Sequence, residues 1–164
     1  VVREDARILI LGSMPGVASL TAQQYYAHPH NQFWPILARL FDLPRELPYE
    51  ERLARLQAHQ LALWDVLESC VRPGSLDAAI EHDTAVANDI PGLLRRYPGI
   101  VRICCNGTTA YTAFRRHFGA DPSVQARELR RLPSTSPANA GWSATRKLAA
   151  WREGLTLDGM RTGN

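Results

Sequence analysis

Ala6-Arg-Ile-Leu-Ile-Leu11, closed at once by Gly12, decides how the rest of the chain is read. An apolar run this short, stopped by glycine and followed by Ser13-Met14-Pro15-Gly16, is the signature of a buried parallel strand running into a loop. Three further runs repeat it: Leu61-Ala-Leu-Trp-Asp65, Ile100-Val-Arg-Ile-Cys-Cys105 and Glu128-Leu-Arg-Arg-Leu132. The last is shorter and more polar, which suits a sheet edge. Helical patterns lie between them, at Asn31 to Phe41, Pro48 to His59, Asn88 to Tyr97, Thr108 to Phe118 and Trp142 to Leu155. Asn88-Asp89 with Pro91 close behind is a helix start signal. Strands alternating with helices predict an α/β domain with a parallel sheet, and such sheets bind ligands at the carboxyl ends of their strands. The 164 residues suffice for one domain, spanning 1–164, and are too few for two comfortable ones.

Hydrophobic residues make up 45% and charged residues 21%, which excludes a disordered or fibrous chain. No apolar run approaches the roughly 18 residues of a membrane helix. Residues Val1 to Asp5 carry charge ahead of a strand-like run and do not read as a secretory leader. The net charge is +3, but it is unevenly spread. Up to His82 acidic residues outnumber basic ones, and beyond it basic residues dominate, so the second half is the side on which a polyanion would dock. Of the 19 cationic side chains only Lys147 is lysine; an arginine-rich codon supply explains that bias equally well. Cys70, Cys104 and Cys105 form no CxxC clamp, and the adjacent pair points to opposite faces of a strand. Reduced cysteines, and hence a cytoplasmic setting, are the expectation.

The four strand ends are the places to look for chemistry. They lead into Gly12-Ser-Met-Pro-Gly16, Trp64-Asp65, Asn106-Gly-Thr-Thr109 and Pro133-Ser-Thr-Ser-Pro137. Backbone N–H groups at such junctions favour phosphates and developing anions, although turn geometry alone asks for the same residues. Together they predict an open cleft along one edge of the sheet.

Taken in order, Gly12-Ser-Met-Pro-Gly16, Tyr25-Tyr-Ala-His-Pro-His-Asn-Gln-Phe-Trp34, Leu63-Trp-Asp-Val66, Asn106-Gly107 and Leu132-Pro-Ser-Thr-Ser-Pro-Ala138 resemble the uracil-DNA glycosylase superfamily. The hypoxanthine-DNA glycosylase branch is the part of it they resemble most. The resemblance implies a three-layer α/β/α sandwich around a four-stranded parallel sheet. It also implies hydrolysis of the bond between a damaged base and deoxyribose, with the base extruded from the duplex because C1′ is out of reach inside the stack. Better-known members carry Asp or Asn where this chain has Met14, and in the hypoxanthine branch the catalytic asparagine maps onto Asn31. Asn31 also stands where a helix N-cap is expected. Tyr26 maps onto the aromatic residue that stacks on the extruded base, a contact worth roughly 1–3 kcal/mol; Tyr25 and Tyr26 are expected to face opposite ways. Gly12, Ser13, Met14, Asp65 and Asn106 complete the implied base pocket. Ionised, Asp65 accepts the N1–H that hypoxanthine has and adenine lacks. Leu132 replaces the His or Asn with which relatives stabilise the departing base. The implied DNA contacts are Ser134, Thr135, Ser136, Pro137 and Asn139, with Arg146 and Lys147 nearby, and Arg130 and Arg131 in reach.

Glycosylases that also nick the strand need an amine for a Schiff base. Lys147 sits far along the chain from the Asn31 motif, and Val1 precedes a strand whose loop end is opposite. The expectation is a monofunctional, monomeric enzyme that leaves an abasic site and uses DNA as its partner, with no metal, cofactor or membrane. Two alternatives stay open: a mismatch-specific uracil glycosylase, and an inactive nucleic-acid-binding module, suggested by Met14 and Leu132.

Overall fold

A computed structural model describes residues 1–44, 46–72, 75–139 and 141–159. The sheet-forming strands are β1 (Ile8–Gly12), β2 (Leu61–Asp65), β5 (Arg102–Asn106) and β6 (Glu128–Leu132), parallel throughout in the order β2-β1-β5-β6. The four predicted strands are thus the four of this sheet, and Glu128–Leu132 does lie at an edge. Every residue of β1 and β5 is buried, as expected of central strands covered on both faces.

Alternation along the strands builds two cores. Leu9, Leu11, Ile103 and Cys105 face one layer, which contains α4 (Ile90–Arg96) and α5 (Thr108–Phe118). Ile8, Ile10, Leu63 and Cys104 face the other, with α2 (Phe33–Phe41), α3 (Tyr49–Ala58) and α7 (Ala144–Gly154). The two adjacent cysteines therefore belong to different cores, as the strand reading requires. Helix starts follow the sequence signals: Asp89 accepts from Gly92 N at 3.0 Å and Ser143 from Arg146 N at 3.2 Å.

Four elements depart from the sequence reading. A hairpin of β3 (Leu67–Val71) and β4 (Glu81–Ala87) follows β2 directly, and α1 (Val17–Ala22) and α6 (Pro122–Gln125) are short extra helices. The hairpin's register shifts break the period-two pattern that would have betrayed it. Helix α1 lacks a side-chain cap from its own N-terminus; instead Ser75 Oγ accepts from Val17 N at 2.8 Å. Among the described residues no helix is long and apolar enough to cross a membrane. The chain leaves β1 towards β2 on one side and reaches β5 on the other, so the carboxyl ends of β1 and β5 flank a topological switch point.

Candidate active site

The strand-end loops converge at that switch point. Gly12–Gly16, Asp65, Asn106–Thr109 and Pro133–Asn139 line one cleft of about 1330 Å³, together with Tyr25, Tyr26 and Asn31 from the connection between α1 and α2. The floor depends on a missing side chain. A Cβ at Gly12 would stand 2.5 Å from Asp65 Oδ1 and 3.1 Å from the Tyr26 hydroxyl, so only glycine lets those two polar tips meet over the end of β1.

Asp65 is 9% exposed, and its carboxylate has no hydrogen-bond partner among the described residues. Its backbone carbonyl accepts from Asn88 Nδ2 at 2.8 Å. Burial, reinforced by the negative charge of Asp77, pushes its pKa up to about 7, against the opposing charges of Arg72 and the Val1 amino group. Tyr26 stacks on the buried Phe33 with ring centroids 4.1 Å apart and 26° between planes. Burial raises the Tyr26 phenol above its ordinary range, and the charge of Asp65 adds to the rise. Tyr25 and Tyr26 were expected to face opposite ways, yet both line the cleft. The reason is the positive φ of Tyr26 (57°), which breaks the extended backbone that alternation presumes.

Asn31 stands two residues before α2, and its Oδ1 accepts the Phe33 N–H at 2.9 Å. Because only the oxygen can accept, this bond fixes the amide's orientation. Nδ2 remains as a donor in the cleft that Asn31 lines. The helix start thus uses one end of the amide and leaves the other free at the cleft. His28 Nδ1 is engaged by the His30 N–H at 3.0 Å, a turn contact.

The final loop is held at both ends. Thr135, fully buried, donates its N–H to Asn106 Oδ1 (3.0 Å), accepts from Asn106 Nδ2 at Oγ1 (2.9 Å), and accepts from Gln32 N at its carbonyl (2.9 Å). Trp151 Nε1 donates to the Pro133 carbonyl at 2.9 Å. Asn106 and Thr135, expected at base and DNA, therefore spend their polar groups on each other. Ser134 and Ser136 remain half-buried at the cleft and Pro137 is exposed. Asn139 Nδ2 donates to the Ser134 carbonyl at 3.1 Å.

Lys147, read from sequence as a DNA contact, is placed otherwise. It is 2% exposed and its Nζ donates to the Asn139 carbonyl at 2.8 Å, bracing the loop from below; burial lowers its pKa. Arg146 is exposed, its guanidinium 3.8 Å from the centroid of the Trp142 ring. Arg130 is tied to Glu128 and Glu153, whereas Arg131 lines the cleft with no acidic partner among the described residues. Val1 also departs from expectation: it pairs with Leu63 along the outer edge of β2 and so reaches the cleft. Leu132 is buried in the layer of α7 and packs on Gly154, an apolar role. Met14 packs against the α4–α5 core, the default role of a methionine there.

Sequence reasoning missed Ser75, Leu76 and Asp77, which form one wall of the cleft. Ser13 Oγ donates to Asp77 Oδ1 at 2.7 Å across 64 positions, and Arg72 reaches the Met14 and Pro15 carbonyls. No local pattern marks a contact made over that separation.

Comparison with known proteins agrees with this geometry. Residues 1–154 match the family model described as the uracil DNA glycosylase superfamily. A hypoxanthine DNA glycosylase of Methanosarcina acetivorans is 35% identical over 150 residues, covering 90% of this chain and 89% of that protein. Another, of Methanosarcina barkeri, is 32% identical over 157 residues, covering 93% and 92%. A solution NMR structure from Methanosarcina acetivorans, provisionally assigned as a uracil DNA glycosylase, superposes with a TM-score of 0.73 at 34% identity, over 93% of this chain and 92% of that one. With the parallel sheet, the switch-point cleft and the match along nearly its whole length, this chain belongs to the uracil DNA glycosylase superfamily.

Proposed function

We propose that the chain is a monofunctional DNA glycosylase that removes deaminated bases, chiefly hypoxanthine, and leaves an abasic site. The observation that carries the substrate is Asp65, a buried carboxylate at the end of β2 without a hydrogen-bond partner among the described residues. Ionised, it accepts the N1–H of hypoxanthine and repels adenine, whose N1 is itself an acceptor. The relatives bearing the name hypoxanthine DNA glycosylase support the same choice. The extruded base adds a ring to the Tyr26–Phe33 stack, while Asn31 Nδ2 donates to the attacking water or to the departing purine. Glycosidic cleavage passes through a sugar cation, so a placed water and a stabilised leaving base are what the chain must supply. The buried Lys147 is committed to Asn139 and the Val1 amino group, which reaches the cleft, to the Leu63 carbonyl; both support hydrolysis without strand nicking. We read the enzyme as a monomer acting in the cytoplasm on DNA, without a metal.

Duplexes containing inosine or uracil, assayed for base release and for nicking without alkali, test this. Release of hypoxanthine and no nick are expected; rapid uracil release with none from inosine would turn the assignment to a mismatch-specific uracil glycosylase. Asn31→Ala should slow base release by about 10²-fold or more while DNA binding persists. Base release by neither protein would reduce the chain to a binding module.

A further inference from the structure

Hydrolysis of a glycosidic bond asks for an acceptor for the water's proton and for negative charge beside the developing sugar cation. Asn31 is neutral and its oxygen already caps α2. Asp65 lies buried on the floor beside Gly12 and Tyr26 and is assigned to base recognition. Of the remaining acids in the cleft, Glu50 is exposed in the first turn of α3 with no anchoring bond among the described residues. Asp77 differs. It belongs to a single 3-10 turn, Asp77–Ala79, between the hairpin strands, yet it is fastened to the loop after β1. Its Oδ1 accepts from Ser13 Oγ at 2.7 Å and lies 3.7 Å from Arg72 Nη1. Arg72 in turn donates to the Met14 and Pro15 carbonyls. A partner on Oδ1 leaves Oδ2 as the oxygen without one among the described residues, and the side chain keeps 36% exposure in the cleft. The loop's own sequence carries no carboxylate; the hairpin brings one against its Ser13.

We propose that Asp77 is a further catalytic residue, which accepts the proton of the attacking water at Oδ2 and stabilises the sugar cation by its charge. This rests on the glycosylase reading above. The water oxygen bonds to C1′ as the C1′–N9 bond breaks, with its electron pair leaving on the purine. One water proton passes to Asp77, the purine anion takes up a proton from solvent, and Asp77 returns its own to solvent.

The test is single-turnover release of hypoxanthine from an inosine duplex by wild type, Asp77→Asn, Asp77→Glu and Asp77→Ala, with affinity for an uncleavable duplex measured alongside. Asparagine keeps the acceptor for Ser13 Oγ and loses the charge 3.7 Å from Arg72, so a purely structural Asp77 would show in lower stability and weaker duplex affinity rather than in the rate alone. The expected result is an Asp77→Asn rate lower by about 10²–10⁴-fold with affinity unchanged, and partial activity in Asp77→Glu. Wild-type rates in Asp77→Asn, or Asp77→Glu no better than Asp77→Asn, overturn the proposal. Wild type that releases no base from inosine or uracil overturns the glycosylase reading itself, and this assignment with it.

Discussion

Asp65 shows how one residue links the site to the stability of the whole chain. Its pKa is pushed from 3.8 to about 7, mainly by burial, so the native state holds a proton that the unfolded chain has lost across that interval. The contribution of Asp65 to stability is therefore greatest below pH 4, falls as pH rises towards 7, and levels off above it. A shift of this size corresponds to a loss on the order of a few kcal/mol. Urea denaturation of wild type between pH 4 and 8 should show that decline, and Asp65→Asn should flatten it; equal slopes in the two proteins would mean that the carboxylate is not the titrating group. The same substitution replaces an acceptor with an amide able to donate, so selectivity for inosine over adenosine in the duplex should drop. Buried ionisable groups kept without a partner are costly, and an active-site cleft is where such a cost has a use.

At the scale of elements, the junctions rather than the strands carry the specificity. Gly107 joins β5 to α5 at φ 95°, and a Cβ there would sit 2.9 Å from Ser134 Cβ. Gly107→Ala thus meets strain and a clash together, with an expected cost of about 1–3 kcal/mol in urea denaturation and weaker DNA binding as the final loop shifts. An alanine protein of unchanged stability would show that the two loops are less tightly joined than their geometry implies. These junctions were legible in sequence because Gly12 and Asn106-Gly107 punctuate apolar runs that become fully buried strands, and Pro133 stops a shorter edge run. The hairpin Leu67–Ala87 was not, since its strands carry Glu68, Glu81 and Asp83 and slip register twice. The role of Asp77 was illegible for the same cause: the turn that bears it makes sense only against Ser13, which the sheet delivers from the other end of the site. Lys147 was misread because a lysine on a helix is ordinarily solvated, and nothing local announces the Asn139 carbonyl above it.

Across the whole molecule, the positive second half is smaller in effect than it looks from the sequence. Arg102 is buried between Glu128 and the Gly154 and Thr156 carbonyls, Arg127 binds the Ile100, Leu94 and Ser123 carbonyls, and Arg130 is paired twice. Beside the cleft, Arg131 and Arg146 remain without acidic partners among the described residues. Duplex affinity should fall with salt, and Arg131→Ala or Arg146→Ala should each reduce the logarithmic salt slope by about 1. An unchanged slope in both would move the DNA footprint elsewhere. One further consequence concerns Cys104 and Cys105, neighbours in sequence whose thiols lie in different cores. Burial raises both, Cys104 to about 12, so in the native protein neither offers a reactive thiolate. With Cys70 replaced by serine, each remaining thiol becomes a clock for the helical layer that covers it. Alkylation at matching rates would mean that the two layers detach as one cooperative unit, the expected behaviour of cores that share β1 and β5; a faster Cys104 or Cys105 would name the layer that opens first.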